Sequence, residues 1–144
     1  MLRKLSLKLL ASTTLSMSFA LAIAAKADQL IVDVVGIERL GGAMMVAVFN
    51  SAEGWEDSKG PIATAKDSVS GPTVRLVFPD LASGTYAVKL YHDENANGVL
   101  DTNMLGIPSE GYGFSNYKRT LGEPDFEESL FTLDGETTIE IKLN

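Results

Sequence analysis

LASGTYAVKLYH, residues Leu81 to His92, is the stretch on which the reading of the fold turns. From Thr85 to His92, Tyr86, Val88 and Leu90 fall on every second position, the period of a strand with one buried face. The run before it, Leu81-Ala82-Ser83-Gly84, is turn chemistry, with Gly84 expected to let the chain swing into the strand. Tyr86 then stands where a buried ring can send its hydroxyl back to backbone a few residues upstream, as in a tyrosine corner; an ordinary core tyrosine is the other reading.

The same rhythm extends in both directions. Gln29–Ile37 is rich in β-branched residues, Ala43–Phe49 is apolar on both faces as a central strand would be, and Ile62–Val69 is a weaker strand. Thr73–Phe78 places Val74, Leu76 and Phe78 on one side. Ser129–Leu133 and Glu136–Leu143 close the chain, the last alternating Ile139, Ile141 and Leu143 with Glu140 and Lys142. Asp134-Gly135 between them is a two-residue hairpin signal, because glycine accepts the positive φ of a type I′ turn. Seven strands and no convincing amphipathic helix predict an all-β fold: a small antiparallel, immunoglobulin-like β-sandwich, with a small barrel as the alternative. Val74, Leu76, Phe78, Tyr86, Val88, Leu90, Ile139 and Ile141 are the expected inward-facing residues.

Residues 1–27 read as a signal peptide. Arg3, Lys4 and Lys8 precede the nearly uncharged run Leu9–Ala24, and Ala25-Lys26-Ala27 offers the small residues a signal peptidase reads. The alternative, a membrane anchor, fits less well, because the apolar run is short and diluted by Ser and Thr. Cleavage after Ala27 leaves residues 28–144, one domain of 117 residues with no integral membrane segment and no cysteine. The mature chain carries eight basic and all 19 acidic residues, a net charge of −11. That repels phosphate backbones, which argues against nucleic acid as a partner, and it attracts cations.

Between residues 93 and 125 the strand rhythm stops and a long Gly- and Pro-bearing loop begins. Its first part, Asp93-Glu94-Asn95-Ala96-Asn97-Gly98-Val99-Leu100-Asp101, has side-chain oxygens at positions 1, 3, 5 and 9 and glycine at 6. Such spacing in a tightly wound loop turns alternate oxygens inward, as a hard cation wanting six to eight oxygens requires. Asp93, Asn95, Asn97, Asp101 and the Val99 carbonyl are thus candidate calcium ligands. Met104 stands at position 12, where the helix–loop–helix version supplies a bidentate Glu, and the flanks read as strand and loop. Glu110 or Asn103 is expected to complete the shell. The competing reading is a polar turn, since Asn97-Gly98 is itself a hairpin signal.

The segment that follows, Leu105–Asn116, interrupts aromatics with glycine. Tyr112, Phe114, Ser115 and Asn116 are candidate binding residues for an unknown protein or carbohydrate; the alternative is that Tyr112 and Phe114 cap one end of the sandwich. Enzymatic readings fare poorly. His92 is the sole histidine, there is no thiol, and Gly113-Phe114-Ser115-Asn116-Tyr117 is not a nucleophile elbow.

Leu81-x-x-Gly84-x-Tyr86-Ala87-Val88, His92-Asp93-Glu94-Asn95-x-Asn97-Gly98-x-x-Asp101 and Gly106-Ile107-Pro108-x-Glu110-x-Tyr112-Gly113-Phe114-Ser115-Asn116 together resemble the bacterial family called domain of unknown function 2141. The resemblance covers nearly the whole mature chain and implies an exported protein, periplasmic or secreted, mostly from Gram-negative bacteria. It implies no known activity. The residues themselves, apart from the resemblance, give the function expected: an exported binding or adhesion-type module stabilised by a weakly bound calcium ion. A structural accessory domain without a ligand is the alternative, and an enzyme using acidic residues a remote third.

Overall fold

The computed structural model describes residues 28–117 and 122–144. The expected signal peptide at 1–27 lies outside the described residues. The described residues form eight strands: β1 (Asp28–Val35), β2 (Ala43–Phe49), β3 (Ala63–Ser68), β4 (Val74–Leu81), β5 (Gly84–Asp93), β6 (Tyr112–Phe114), β7 (Phe131–Leu133) and β8 (Glu136–Lys142). A single turn of helix, α1 (Ala52–Trp55), joins β2 to β3, and a 3₁₀ turn at Phe126–Ser129 precedes β7. Ser51 caps α1, its Oγ accepting from the Gly54 N–H at 3.2 Å.

Two sheets result. The smaller runs β4-β1-β8; the larger runs β3-β2-β5-β6, with β7 also paired to β5. Apolar faces of both meet in one core: Leu30, Val32 and Val34 of β1, Val74, Leu76 and Phe78 of β4, Val46 and Val48 of β2, and Tyr86, Val88 and Leu90 of β5. Ile141 is buried with them and Ile139 packs partly buried against them. The eight residues expected to face inward therefore do so. The fold is an all-β sandwich of two open sheets.

Three features depart from the sequence expectation. Asp134-Gly135 is a turn, with Gly135 at φ 69°, but not a hairpin. It carries the chain from β7, on the larger sheet, to β8, on the smaller. Secondly, β8 runs parallel to β1, Val32 facing Ile139 and Val34 facing Ile141, so the sandwich is not wholly antiparallel. Crossing between sheets lets β8 seat Ile139 and Ile141 in the core, whereas folding back on β7 would leave the second edge of β1 unpaired. Thirdly, β6 lies inside the stretch from 93 to 125, pairing Tyr112 with Tyr91 and Phe114 with Lys89.

At the β4–β5 turn the tyrosine corner forms. The Tyr86 hydroxyl donates to the Ala82 carbonyl at 2.7 Å, and its ring lies 6.5 Å from that of Phe131. Gly84 opens β5, as expected, and the left-handed residue of this turn is Asp80, at φ 61°. A second, smaller apolar cluster sits outside the larger sheet, where Trp55, Phe49 and Ala87 gather Phe114, Phe126 and Leu130. Trp55 is anchored there by its indole N–H, which donates to the Pro124 carbonyl at 3.0 Å.

Candidate functional site

The Asp93 loop leaves the end of β5, an interior strand of the larger sheet whose last two residues are buried, and this fixes its root. Asp93 is 0% exposed. One of its oxygens accepts from the Asn97 N–H at 3.0 Å and the other from the Gly98 N–H at 2.9 Å, so its carboxylate winds the loop about itself. Gly98, at φ 84°, supplies the bend. Asn95 and Asn97 repeat a local pattern: each side-chain oxygen accepts from the backbone N–H two residues on, at 3.0 Å. Their carboxamide N–H groups converge on Asp101, from Asn95 at 2.5 Å and from Asn97 at 3.1 Å to both oxygens.

Glu110 closes the arrangement from outside the nine-residue motif. It is 8% exposed. Its two oxygens accept from the Glu94 and Asp101 N–H groups, each at 2.9 Å, so one carboxylate clamps both ends of the loop. The expected candidates Asp93, Asn95, Asn97, Asp101 and Glu110 are thus joined in one hydrogen-bonded group. Val99 donates its N–H to Asn97. Asn103, the other residue considered for the shell, serves a separate turn, its Oδ1 accepting from the Leu105 and Ile107 N–H groups. Among the described residues no three His, Cys, Asp or Glu side chains group as a metal cluster. The oxygens in the loop come from carboxylates and carboxamides together.

Neighbouring elements brace the loop. The ring of His92 is buried and its Nε2–H donates to the Gly41 carbonyl at 2.7 Å, which assigns that tautomer. A methyl group at Gly42 would stand 2.1 Å from the Asp93 carbonyl, so only glycine permits the chain to pass there. Arg39 pairs with Glu94 at 2.8 Å. The Tyr91 hydroxyl donates to the Gly98 carbonyl at 2.9 Å. Burial, with the charges of Asp93 and Glu110 nearby, raises the pKa of that hydroxyl above its ordinary value.

The aromatic segment divides into two roles. Tyr112 and Phe114 lie half-buried on the outer face of the larger sheet, 5.8 Å apart, and Phe114 also meets Trp55 at 5.9 Å and Tyr117 at 5.9 Å. Ser115, expected among the binding residues, turns inward instead and is 1% exposed. Its Oγ accepts from the Val88 N–H at 2.8 Å and donates to the Ser129 carbonyl at 2.6 Å. It occupies the gap on β5 between the β6 and β7 ladders, leaving no hydroxyl to offer a ligand. Asn116, at φ 53°, is exposed and donates to the Leu130 carbonyl at 3.2 Å.

Sequence reasoning passed over Met45, Ala47, Lys66, Lys89, Tyr91 and Leu100, which line a groove beside Tyr112 and Phe114. The available signal was the two-faced apolar character of β2, which leaves Met45 and Ala47 facing away from the core. No helix among the described residues is long and apolar enough to cross a membrane. No curated protein and no solved structure matches the chain significantly. A family model does match residues 32–140, a span that takes in the Asp93 loop, Glu110 and the aromatic segment, and the chain belongs to that family, DUF2141, described as an uncharacterized protein conserved in bacteria.

Proposed function

We propose that this protein is an exported binding module of immunoglobulin-like type, cleaved after Ala27 and working in the periplasm or outside the cell, whose Asp93–Asp101 loop takes up a calcium ion. The observation that carries the cation reading is the convergence of Asp93, Asn95, Asn97 and Asp101 in one wound loop, with Glu110 bonding both of its ends. Each carboxylate oxygen that accepts one backbone N–H keeps a second lone pair for a metal. The carboxamides of Asn95 and Asn97 present N–H to Asp101 here. A cation would replace them as the counter-charge, and the two amides would turn to present oxygen.

Three carboxylates and two neutral amides make a modest donor set outside any pair of bracing helices, and such a loop fits a Kd on the order of 10⁻⁴ to 10⁻³ M, the range of extracellular modules. At calcium ten times Kd the folded state gains about 1.4 kcal/mol, a shift of a few degrees for a domain of this size. Magnesium does less, because it gives up its waters reluctantly and demands an octahedral shell. The test is the melting temperature with millimolar calcium and with chelator, for the native protein and for Asp101→Ala. Calcium is expected to raise the first and leave the second unmoved. Identical melting of the native protein in both buffers, with no calorimetric heat of binding, would reduce the loop to a polar turn and favour the accessory-domain reading.

A further inference from the structure

The outer face of the larger sheet, turned away from the core, carries two cross-strand rows set by the register. Lys66, Met45, Tyr91 and Tyr112 stand side by side in one, and Thr64, Ala47, Lys89 and Phe114 in the next. Ala47 is the smallest residue of its row, and the face dips there into a groove of about 460 Å³, bounded by Leu100 from the Asp93 loop and by Phe49 and Glu123. That volume lies within the range of small-molecule sites, which are mostly apolar with a few placed polar groups.

The charges in the groove are unequal. Lys89 is occupied: its Nζ pairs with Glu123 at 2.5 Å, donates to the Trp55 carbonyl at 2.5 Å and lies 4.4 Å over the Trp55 ring. Lys66, exposed on the edge strand β3, has no hydrogen-bond or ion-pair partner among the described residues. Four strands at a spacing of about 4.8 Å put Lys66 roughly 14 Å from Tyr112. The groove therefore has an open cationic end at Lys66 and Thr64, a shallow apolar floor at Met45 and Ala47, and an aromatic end at Tyr91, Tyr112 and Phe114.

From this geometry we infer that the groove binds an amphipathic carboxylate, its extended apolar body lying across Met45 and Ala47 onto the three aromatic rings and its carboxylate paired with Lys66. An unbranched acid of medium chain length matches the span. A saccharide matches it less well, because the lining offers few hydrogen-bonding groups over the aromatic end. The inference rests on the reading of the domain as a binding module but not on its cation. Trp55, the sole tryptophan, touches both Phe49 and Phe114 of the lining and so reports occupancy by fluorescence.

The test titrates the purified protein, as the producing cell processes it, with decanoate, decanol and decyltrimethylammonium below their micelle thresholds. Trp55 emission and calorimetry are followed in calcium and in chelator. Decanoate is expected to saturate at one per chain and to bind about fivefold more tightly than the other two, the scale of one partly exposed ion pair. Lys66→Glu should remove that preference and leave decanol unchanged. Ala47→Phe, on a half-exposed position, should fill the floor and abolish binding with the melting temperature retained. No saturable binding of decanoate, equal binding of all three probes, or undiminished binding by a folded Ala47→Phe protein would overturn the proposal. Binding that persists in chelator, in a protein calcium does not stabilise, would overturn the cation reading alone. Calcium stabilisation without decanoate binding would overturn the groove alone.

Discussion

Ser115→Ala is the perturbation that most directly separates a structural hydroxyl from a binding one. The Ser115 side chain stands where β5 passes from one partner to another: Lys89–Tyr91 pair with β6 and Gly84–Tyr86 with β7, leaving Ala87 and Val88 between ladders. The Ser115 N–H donates to the Val88 carbonyl at 3.0 Å, and its Oγ receives the Val88 N–H, so one residue does for Val88 what a paired strand would. The same Oγ donates to Ser129, tying β6 to the segment that leads into β7. Removing the oxygen orphans one buried backbone N–H and one buried carbonyl. Each costs about 1–3 kcal/mol, and partial relaxation brings the expected total to about 2–4 kcal/mol. For a domain near this size that lowers the melting temperature by roughly 8–16 °C. The assay is urea unfolding beside a thermal melt, with Asn116→Gly as the control, since Asn116 is exposed, its φ of 53° suits glycine, and its side chain makes one bond among the described residues, at 3.2 Å. The m-value should be unchanged, because the same surface is exposed on unfolding. A Ser115→Ala protein within about 2 °C of native would refute the account of Ser115 as the joint between ladders and return it to the ligand-facing set.

Two further outcomes follow from the structure, beside those stated for calcium and for decanoate. Gly42→Ala combines a left-handed φ of 65° with a Cβ placed 2.1 Å from the Asp93 carbonyl, so the backbone at the loop root must move; the expected loss exceeds 2 kcal/mol, read by urea unfolding, and calcium stabilisation should fall with it. Asp33 pairs with Arg75 through both carboxylate oxygens at 2.7 Å, and that hydrogen bonding holds its carboxyl below the ordinary carboxylate range. A depressed folded pKa means the contribution is fully present above the unfolded value and is lost as pH falls through the folded one. Asp33→Asn should therefore narrow the gap in stability from native as the medium is acidified below the usual carboxylate range, measured by urea unfolding at a series of pH values.

What the sequence determined alone rests on short-range periodicity. Strands β4, β5 and β8 are legible because every second side chain must face one core, so Val74, Leu76 and Phe78, or Tyr86, Val88 and Leu90, betray their face without any knowledge of the partner, while β1 shows in its β-branched residues and β2 in its continuous apolar run. The Asp93 loop is legible for a similar reason: alternate oxygens with glycine at the sixth position are a local winding instruction, and Asp93, Asn95 and Asn97 obey it through bonds to residues two to five positions on. Tyr86 reaches back only four residues to Ala82, so its corner too could be foreseen. Tertiary structure alone decided the rest. Three residues of β6 are too few to show a period. The parallel pairing of β8 with β1 depends on which sheet the chain enters after Asp134-Gly135, and that is settled by burying Ile139 and Ile141 rather than by the turn residues. Ser115 looks like any polar loop residue until the gap between β6 and β7 exists for it to fill. The groove is the clearest instance. Lys66, Met45, Tyr91 and Tyr112 are scattered over 68 positions from first to last and become neighbours only through the registers of three separate strand pairings, a long-range agreement that no local pattern in the chain encodes.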